Sequence, residues 1–213
     1  MFILLFSLLS YWSGTPITSL TNPDYREYNS PYNYTYLQIG AGLQQDGENI
    51  DLGGSYMLND KLILTMHYQN QFLQGGDLPN GHNAYDSKFN QSVFSLGSMY
   101  RLPINTSLDV ILGGGFSYDW YKDRNSSSTT DQIVGLDYDN KSIGINSFTG
   151  VRYSLTHKLE LGADIGMKYA YHQAYLQASS EINYYFTENI ALGSKASYDD
   201  HDGHIGFYIR ITQ

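Results

Sequence analysis

Three side chains in this sequence are suited to general acid–base chemistry: His67, Asp119 and His172. A histidine that is paired with a carboxylate can activate water as a general base. The alternation of residue types described below places all three on polar strand faces, near the same end of the predicted fold. They allow the hypothesis of a hydrolytic site, and hydrogen bonding in the interior or at the rim of the fold is the alternative.

A second stretch with chemical potential lies near the C-terminus. It contains Asp199, Asp200, His201, Asp202 and His204, and carboxylates and imidazoles are ligands of divalent metals. The spacing is not that of an EF-hand calcium loop, and a solvated turn would have the same composition. We predict no resident metal and no cofactor, and we keep these five residues as candidates for weak cation binding.

The motifs of the common enzyme classes are absent: the sequence has no nucleophile elbow, P-loop, dinucleotide fingerprint or His-Glu-x-x-His. Gly113, Gly114 and Gly115 lie inside a predicted strand, where glycine relieves crowding more often than it binds phosphate. The chain has no cysteine, which excludes disulfides and cysteine-based zinc sites. Its net charge of -9 argues against nucleic acid as a partner.

The composition favours strands that are joined by turns. The chain has 213 residues, among them 21 Tyr and 21 Gly but only 5 Pro. From Tyr34 onward, apolar and polar residues alternate with the period of a strand, which places them on opposite faces. The clearest case is 159–171, where the odd-numbered positions are apolar and the even-numbered ones are charged or small.

Ten apolar rows of this kind follow one another, and none of them contains Asp, Glu, Lys or Arg. We therefore predict an all-β fold: a closed, antiparallel, up-and-down transmembrane β-barrel of about ten strands, with eight as the alternative. The opposite face of the strands carries the charges, and we predict an interior polar network of Arg101, Arg152, Glu160, Asp164, Lys168, Glu181, Lys195 and Arg210.

The connections and the tyrosines decide which face is outside. A soluble barrel buries its apolar face, whereas a membrane barrel turns that face towards lipid. Short turns near 59–60, 103–106, 156–157 and 187–188 alternate with mostly longer loops, above all 70–88 and 122–140. An outward tyrosine before each short turn predicts an aromatic girdle at the membrane interface. These four tyrosines are Tyr56, Tyr100, Tyr153 and Tyr184.

The strand ends Gly97-Ser98-Met99-Tyr100-Arg101-Leu102 and Gly150-Val151-Arg152-Tyr153-Ser154-Leu155 give the chain a family resemblance. Over roughly 34–213 it resembles the small bacterial outer-membrane β-barrels that include OmpX and the OmpA membrane domain. Two features depart from that family. Its members have eight strands, and they commonly end in an aromatic residue, whereas this chain ends in Ile211-Thr212-Gln213.

The chain divides into three predicted segments. Residues 1–14 form a predicted signal peptide, because a short apolar run is followed by small residues. Residues 15–33 hold three of the five prolines and form an irregular lead-in. Residues 34–213 form the barrel.

The resemblance implies a multi-pass barrel in the outer membrane of a Gram-negative bacterium. We expect a non-catalytic structural, adhesive or surface-interaction role. A narrow passive channel for ions or small solutes is the first alternative, and an omptin-like rim hydrolase, in which His67, Asp119 and His172 would act, is the second. The expected partners are membrane lipid and lipopolysaccharide, with an extracellular ligand or protein at the long loops. We also expect a monomer that does not bind nucleic acid.

Overall fold

A computed structural model describes residues 34–44, 47–77, 83–123, 139–200 and 203–213. These residues form ten strands: β1 Tyr36–Gln44, β2 Gly47–Met57, β3 Leu62–Asp77, β4 Asn83–Pro103, β5 Leu108–Asp123, β6 Asp139–Thr156, β7 Leu159–Ala170, β8 Gln173–Thr187, β9 Ile190–Asp199 and β10 Gly203–Thr212. No helix among the described residues is long and apolar enough to cross a membrane. The predicted segments 1–14 and 15–33 lie outside the described residues.

The strands close into a barrel. Each strand pairs antiparallel with its neighbours in sequence, and β1 pairs with β10 from Tyr36 opposite Thr212 to Gln44 opposite His204. A closed barrel leaves no sheet edge with unpaired backbone groups. The prediction of a closed, up-and-down, antiparallel barrel is confirmed, with ten strands rather than eight.

The two ends of the barrel differ. At the end we call the turn end, β1 begins, β10 ends, and four short turns connect the strands at 58–61, 104–107, 157–158 and 188–189. The opposite, loop end carries the connections 45–46, 78–82, 124–138, 171–172 and 200–202. The predicted short turns are therefore all at one end.

The expectation of a long loop at 70–88 is wrong. Strand β3 continues to Asp77 and β4 begins at Asn83, and the two pair as far as Asp77 opposite Asn83. Polar side chains misled the prediction, because backbone hydrogen bonds extend a hairpin whatever the polarity of its side chains. The loop expected at 122–140 is shorter, since β5 runs to Asp123 and β6 starts at Asp139. The intervening residues lie outside the described part of the chain.

The predicted faces are present in the barrel. Outward residues of β7 such as Ile165 and Met167 are 51% and 55% exposed, whereas the inward Glu160 is 2% exposed. Among the strand side chains that the structure describes, the outward-facing charges are Glu48 and Lys141, and both lie towards the loop end. The outer wall between the two ends is therefore an uncharged apolar band.

Candidate functional site

The lumen of the turn half is filled by a layer of packed side chains that we call the plug. Its apolar part consists of Tyr34, Ile63, Met99 and Ile111, all buried, with Met57 and Phe148 packed against them. Ile63, Met99 and Ile111 point inward from β3, β4 and β5, on the face for which the sequence predicted polar residues. Such close packing excludes water from this part of the barrel.

A buried ion pair completes the plug. The Arg101 guanidinium donates to both carboxylate oxygens of Asp109, at 2.8 and 3.1 Å. The Tyr34 hydroxyl donates to Asp109 Oδ2 at 2.8 Å, and the Arg101 guanidinium lies 5.6 Å from the centre of the Tyr34 ring. This two-pronged geometry is the strong form of an arginine–carboxylate contact, so Asp109 is held from two sides.

Above the plug lies a network of charged side chains that we call the floor. Arg152 donates to both oxygens of Asp164, at 2.7 and 3.0 Å, and its Nε lies 3.6 Å from Glu181. The Arg210 guanidinium is fully buried; it lies 3.4 Å from Glu181 Oε2 and donates to Gln38 Oε1 at 2.9 Å. Glu181 thus joins two arginines from strands on either side of it.

The other predicted network residues lie near the floor or above it. Glu160 accepts a hydrogen bond from the Tyr185 hydroxyl at 3.0 Å and is 2% exposed. Lys168 Nζ lies 2.6 Å from Asp119 Oδ2, in the loop half. Lys195 stands opposite Glu181 across β8 and β9, but no ion pair of Lys195 occurs within the described residues. The eight predicted residues therefore all point inward but form several separate clusters.

Three inward glycines, Gly113, Gly162 and Gly193, do not open the lumen, because neighbouring side chains cover them. A Cβ atom on Gly162 would lie 2.7 Å from Glu181 Cγ, which is too close for an ordinary contact. The ring of Phe148 covers Gly113, and the ring of Tyr208 covers Gly193. Each glycine therefore lies under a large side chain of the neighbouring strand, as expected where glycine relieves crowding.

The loop half of the lumen contains a cavity of about 600 Å³ that we call the cup. Arg152, Asp164 and Glu181 of the floor line its base, and residues farther towards the loop end, such as Gln71 and Tyr175, line its upper wall. Its wall combines polar side chains with apolar ones such as Val93 and Phe148, whereas the centre of the plug is apolar. The barrel is thus sealed in one half and hollow in the other.

The three candidate catalytic residues do not come together as a histidine–aspartate pair. Lys168 occupies one oxygen of Asp119. His67 Nε2 lies 3.4 Å from a different carboxylate, Asp51 Oδ1. His172 is exposed in the two-residue turn between β7 and β8, with a φ of 65°.

The predicted cation-binding stretch is only partly described, because His201 and Asp202 lie outside the described residues. Asp200 Oδ2 accepts a hydrogen bond from the Leu176 backbone at 2.9 Å, and Asp199 is the last residue of β9. His204 Nδ1 is 3.1 Å from Ser197 Oγ. No group of three metal-binding side chains occurs within the described part of the chain.

Two features of the lumen were missed by the sequence reasoning. Bulky inward groups that could close the lumen, Tyr34 and Phe148 among them, were predicted from the sequence, but the aliphatic members of the plug, Ile63, Met99 and Ile111, were missed because each comes from a different strand and lies beside polar residues. The glutamines of the cup were missed because an uncharged amide on a polar strand face looks like an ordinary solvated residue. A search for inward positions with apolar or amide side chains would have found both.

The barrel is similar to solved outer-membrane β-barrels. NanC porin is 9% identical to this chain, with 83% of this chain and 98% of the porin covered and a TM-score of 0.47. The COG4313 outer membrane channel from Pseudomonas putida F1 is 12% identical, with 91% and 100% covered and a TM-score of 0.46. Neisserial surface protein A is 15% identical, with 84% and 96% covered and a TM-score of 0.44.

No protein-family model matches the sequence, and no curated protein matches it.

Proposed function

We propose that this chain is an integral β-barrel of a bacterial outer membrane, with a structural, adhesive or surface-interaction role and no catalytic activity. The observation that carries the proposal is the division of the lumen: the plug and the floor fill the turn half, and the cup occupies the loop half. Because the turn half is filled, ions and solutes have no open path through the barrel. This favours a role in which the loop end contacts partners, and it disfavours a conducting channel.

The outer wall supports the membrane location. Apolar side chains such as Ile143 and Phe207 are 73% and 63% exposed, and apolar surface in water is unfavourable by about 25 cal/mol per Å². Lipid removes that cost. Exposed tyrosines border the apolar band at both ends, where aromatic rings favour the membrane interface. They are Tyr56, Tyr100, Tyr153 and Tyr184 at the turn end, and Tyr118, Tyr169 and Tyr198 towards the loop end.

The proposed partners follow from this placement. The apolar band contacts membrane lipid, and the loop end, where Asp199 and Asp200 lie, faces lipopolysaccharide and extracellular ligands. A non-catalytic role is supported by the partners of the candidate residues, since His67 lies beside Asp51 and Asp119 beside Lys168. We propose that the barrel acts as a monomer, because closure of β1 on β10 completes the sheet within one chain.

A narrow passive channel is the second candidate, and the cup is the observation that favours it. Conductance of the unmodified protein in a planar bilayer separates the two. We expect no steady current, because the plug and the paired floor charges close the turn half. Large, stable, ion-selective currents would overturn the proposal in favour of the channel.

A positive control makes that experiment decisive. Tyr34→Ala removes the largest apolar side chain of the plug, so small-ion leakage should appear or increase in this variant. The membrane location is tested separately. Unboiled protein in detergent should migrate differently from boiled protein on a denaturing gel, and a monomer soluble without detergent would contradict the membrane barrel.

A further inference from the structure

We infer that the cup binds an uncharged oligosaccharide, which gives the ligand class of the surface-interaction role and rests on that proposed function. The inference comes from three properties of the cup: its charges are largely paired, three of its uncharged amides make no hydrogen bond within the described residues, and tyrosine rings lie beside its amides.

The charges of the cup favour neither a cationic nor an anionic ligand. Five carboxylates line it against three Lys and Arg side chains, so an anion would meet no positive surplus. Three of these five carboxylates are already paired with Lys or Arg: Asp119 with Lys168 at 2.6 Å, Asp164 with Arg152 at 2.7 Å, and Glu181 with Arg152 and Arg210 at 3.6 and 3.4 Å. A cation would therefore have to displace an existing partner, at a cost in desolvation and lost pairing.

The amides supply hydrogen-bonding groups without charge. Seven glutamines line the cup. Four of them are engaged: Gln38 accepts from Arg210 in the floor, Gln71 donates to Gln69 at 3.1 Å, and Gln173 accepts from the Tyr175 hydroxyl at 3.2 Å. Within the described residues, the side chains of Gln44, Gln91 and Gln177 make no hydrogen bond. Each amide offers two donors and one carbonyl acceptor, which matches neighbouring sugar hydroxyls because every hydroxyl both donates and accepts.

Aromatic rings lie beside these amides on one wall of the cup. Gln71 stands opposite Gln91 across β3 and β4, and Gln91 stands opposite Tyr121 across β4 and β5. The Tyr121 ring centre is 5.5 Å from that of Tyr171, at an interplanar angle of 57°. We call these four residues the belt. Tyrosine combines an apolar ring face with a polar tip, and the C–H and O–H groups of a sugar ring complement both.

The phenol of Tyr171 in the belt is protonated, which suits an uncharged ligand. Burial raises the pKa of the Tyr171 phenol above its ordinary value, so the hydroxyl stays neutral over the physiological pH range and remains a donor. The belt therefore adds no charge to the cup, and its recognition groups are amides and phenols alone.

Unmet acceptors lie deeper in the same wall. Asn146 Oδ1 and Asp119 Oδ1 are buried without a hydrogen-bond partner in the described structure, and both residues line the cup. A buried acceptor without a donor is unfavourable. Both atoms are covered by protein, so a ligand hydroxyl would reach them only if the side chains over them moved. The cup volume of about 600 Å³ lies within the range of small-molecule sites.

The test uses the folded full chain in detergent. It is first applied to an array of neutral and acidic oligosaccharides, and the strongest neutral oligosaccharide on the array is then titrated by calorimetry. We expect neutral glycans to bind, Tyr121→Ser to weaken binding at least tenfold, and Tyr121→Phe, which keeps the ring, to weaken it less. Gln91→Ala should weaken binding severalfold. Asn189→Ala, which removes an amide in an exposed turn at the opposite end, should leave binding unchanged.

Folding of each variant is checked by the difference in gel migration between unboiled and boiled samples. If a belt variant does not fold, Gln177→Ala, on the other side of the cup, is tested in its place. Binding of acidic glycans only, or of no glycan, by the folded protein would overturn the inference. So would neutral-glycan binding that survives all belt variants. None of these outcomes affects the proposed surface barrel, which fails only on conductance or on solubility without detergent.

Discussion

The buried ion pair of Arg101 and Asp109 tests whether the plug excludes water. Both side chains are nearly inaccessible, at 5% and 3% exposure, and they share two hydrogen bonds of 2.8 and 3.1 Å. Removing one partner of a buried pair costs about 3–5 kcal/mol, because the other charge is left uncompensated. Arg101→Met should therefore destabilise the barrel by about 3 kcal/mol or more.

The double variant separates pairing from burial. Asp109→Leu by itself leaves Arg101 with little more than the Asp60 carbonyl, at 3.3 Å, so it should also cost about 3–5 kcal/mol. Combined with Arg101→Met, it places two apolar side chains in the plug. The Tyr34 hydroxyl then lacks its acceptor, which costs about 1–3 kcal/mol. We expect the double variant to lose about 1–3 kcal/mol, far less than the sum of the single losses.

Urea unfolding in lipid vesicles measures these differences, with Trp fluorescence and gel mobility as independent probes of the folded state. Lys158→Met is the matched control, because it removes an exposed cation from a turn and should change stability by no more than about 0.5 kcal/mol. Single losses below about 1 kcal/mol, or losses that simply add in the double variant, would refute the reasoning. The turn half of the lumen would then be wet rather than sealed.

Three further predictions test the faces, the glycines and the β7–β8 turn. Ile165→Arg, on the apolar outer face, should lower the free energy of unfolding by about 2–4 kcal/mol, and Gln177→Arg, on the face of the cup, should lower it much less. Equal losses in urea unfolding would contradict the assigned faces. Gly113→Ala should lower the free energy of unfolding by about 1–3 kcal/mol, because the added methyl overlaps the Phe148 ring. Gly203→Ala has open space around it and should be nearly neutral, and the reverse order would contradict this packing. His172→Gly should raise stability by up to about 1 kcal/mol, because φ is 65° there, and thermal unfolding that shows a loss would count against this turn geometry.

Much of the fold was predictable because the information is local. The period of two in stretches such as 159–171 fixes which side chains share a face, whatever the partner strand is. Counting apolar rows gave the ten strands, and the absence of charge from those rows identified the outer wall. The glycine run 113–115 was correctly interpreted as a response to crowding, since the ring of Phe148 covers its first residue.

The loop lengths were predicted less well, for a physical reason. Residues after Gln69 are polar, so the sequence indicated a loop, but β3 and β4 go on pairing to Asp77 and Asn83. Ladder hydrogen bonds use backbone groups that every residue except proline carries. Polarity therefore shows where a strand leaves the apolar band, and it does not show where the strand ends.

The sequence by itself determined which residues face inward, because alternation along one strand needs no knowledge of the others. Only the tertiary structure decided which inward residues meet. Asp109 binds Tyr34, 75 residues away, Lys168 binds Asp119, 49 residues away, and Arg210 binds Gln38, 172 residues away. Strand register and barrel closure set these pairings, so a sealed plug and an open cup arise from polar faces that look alike in the sequence.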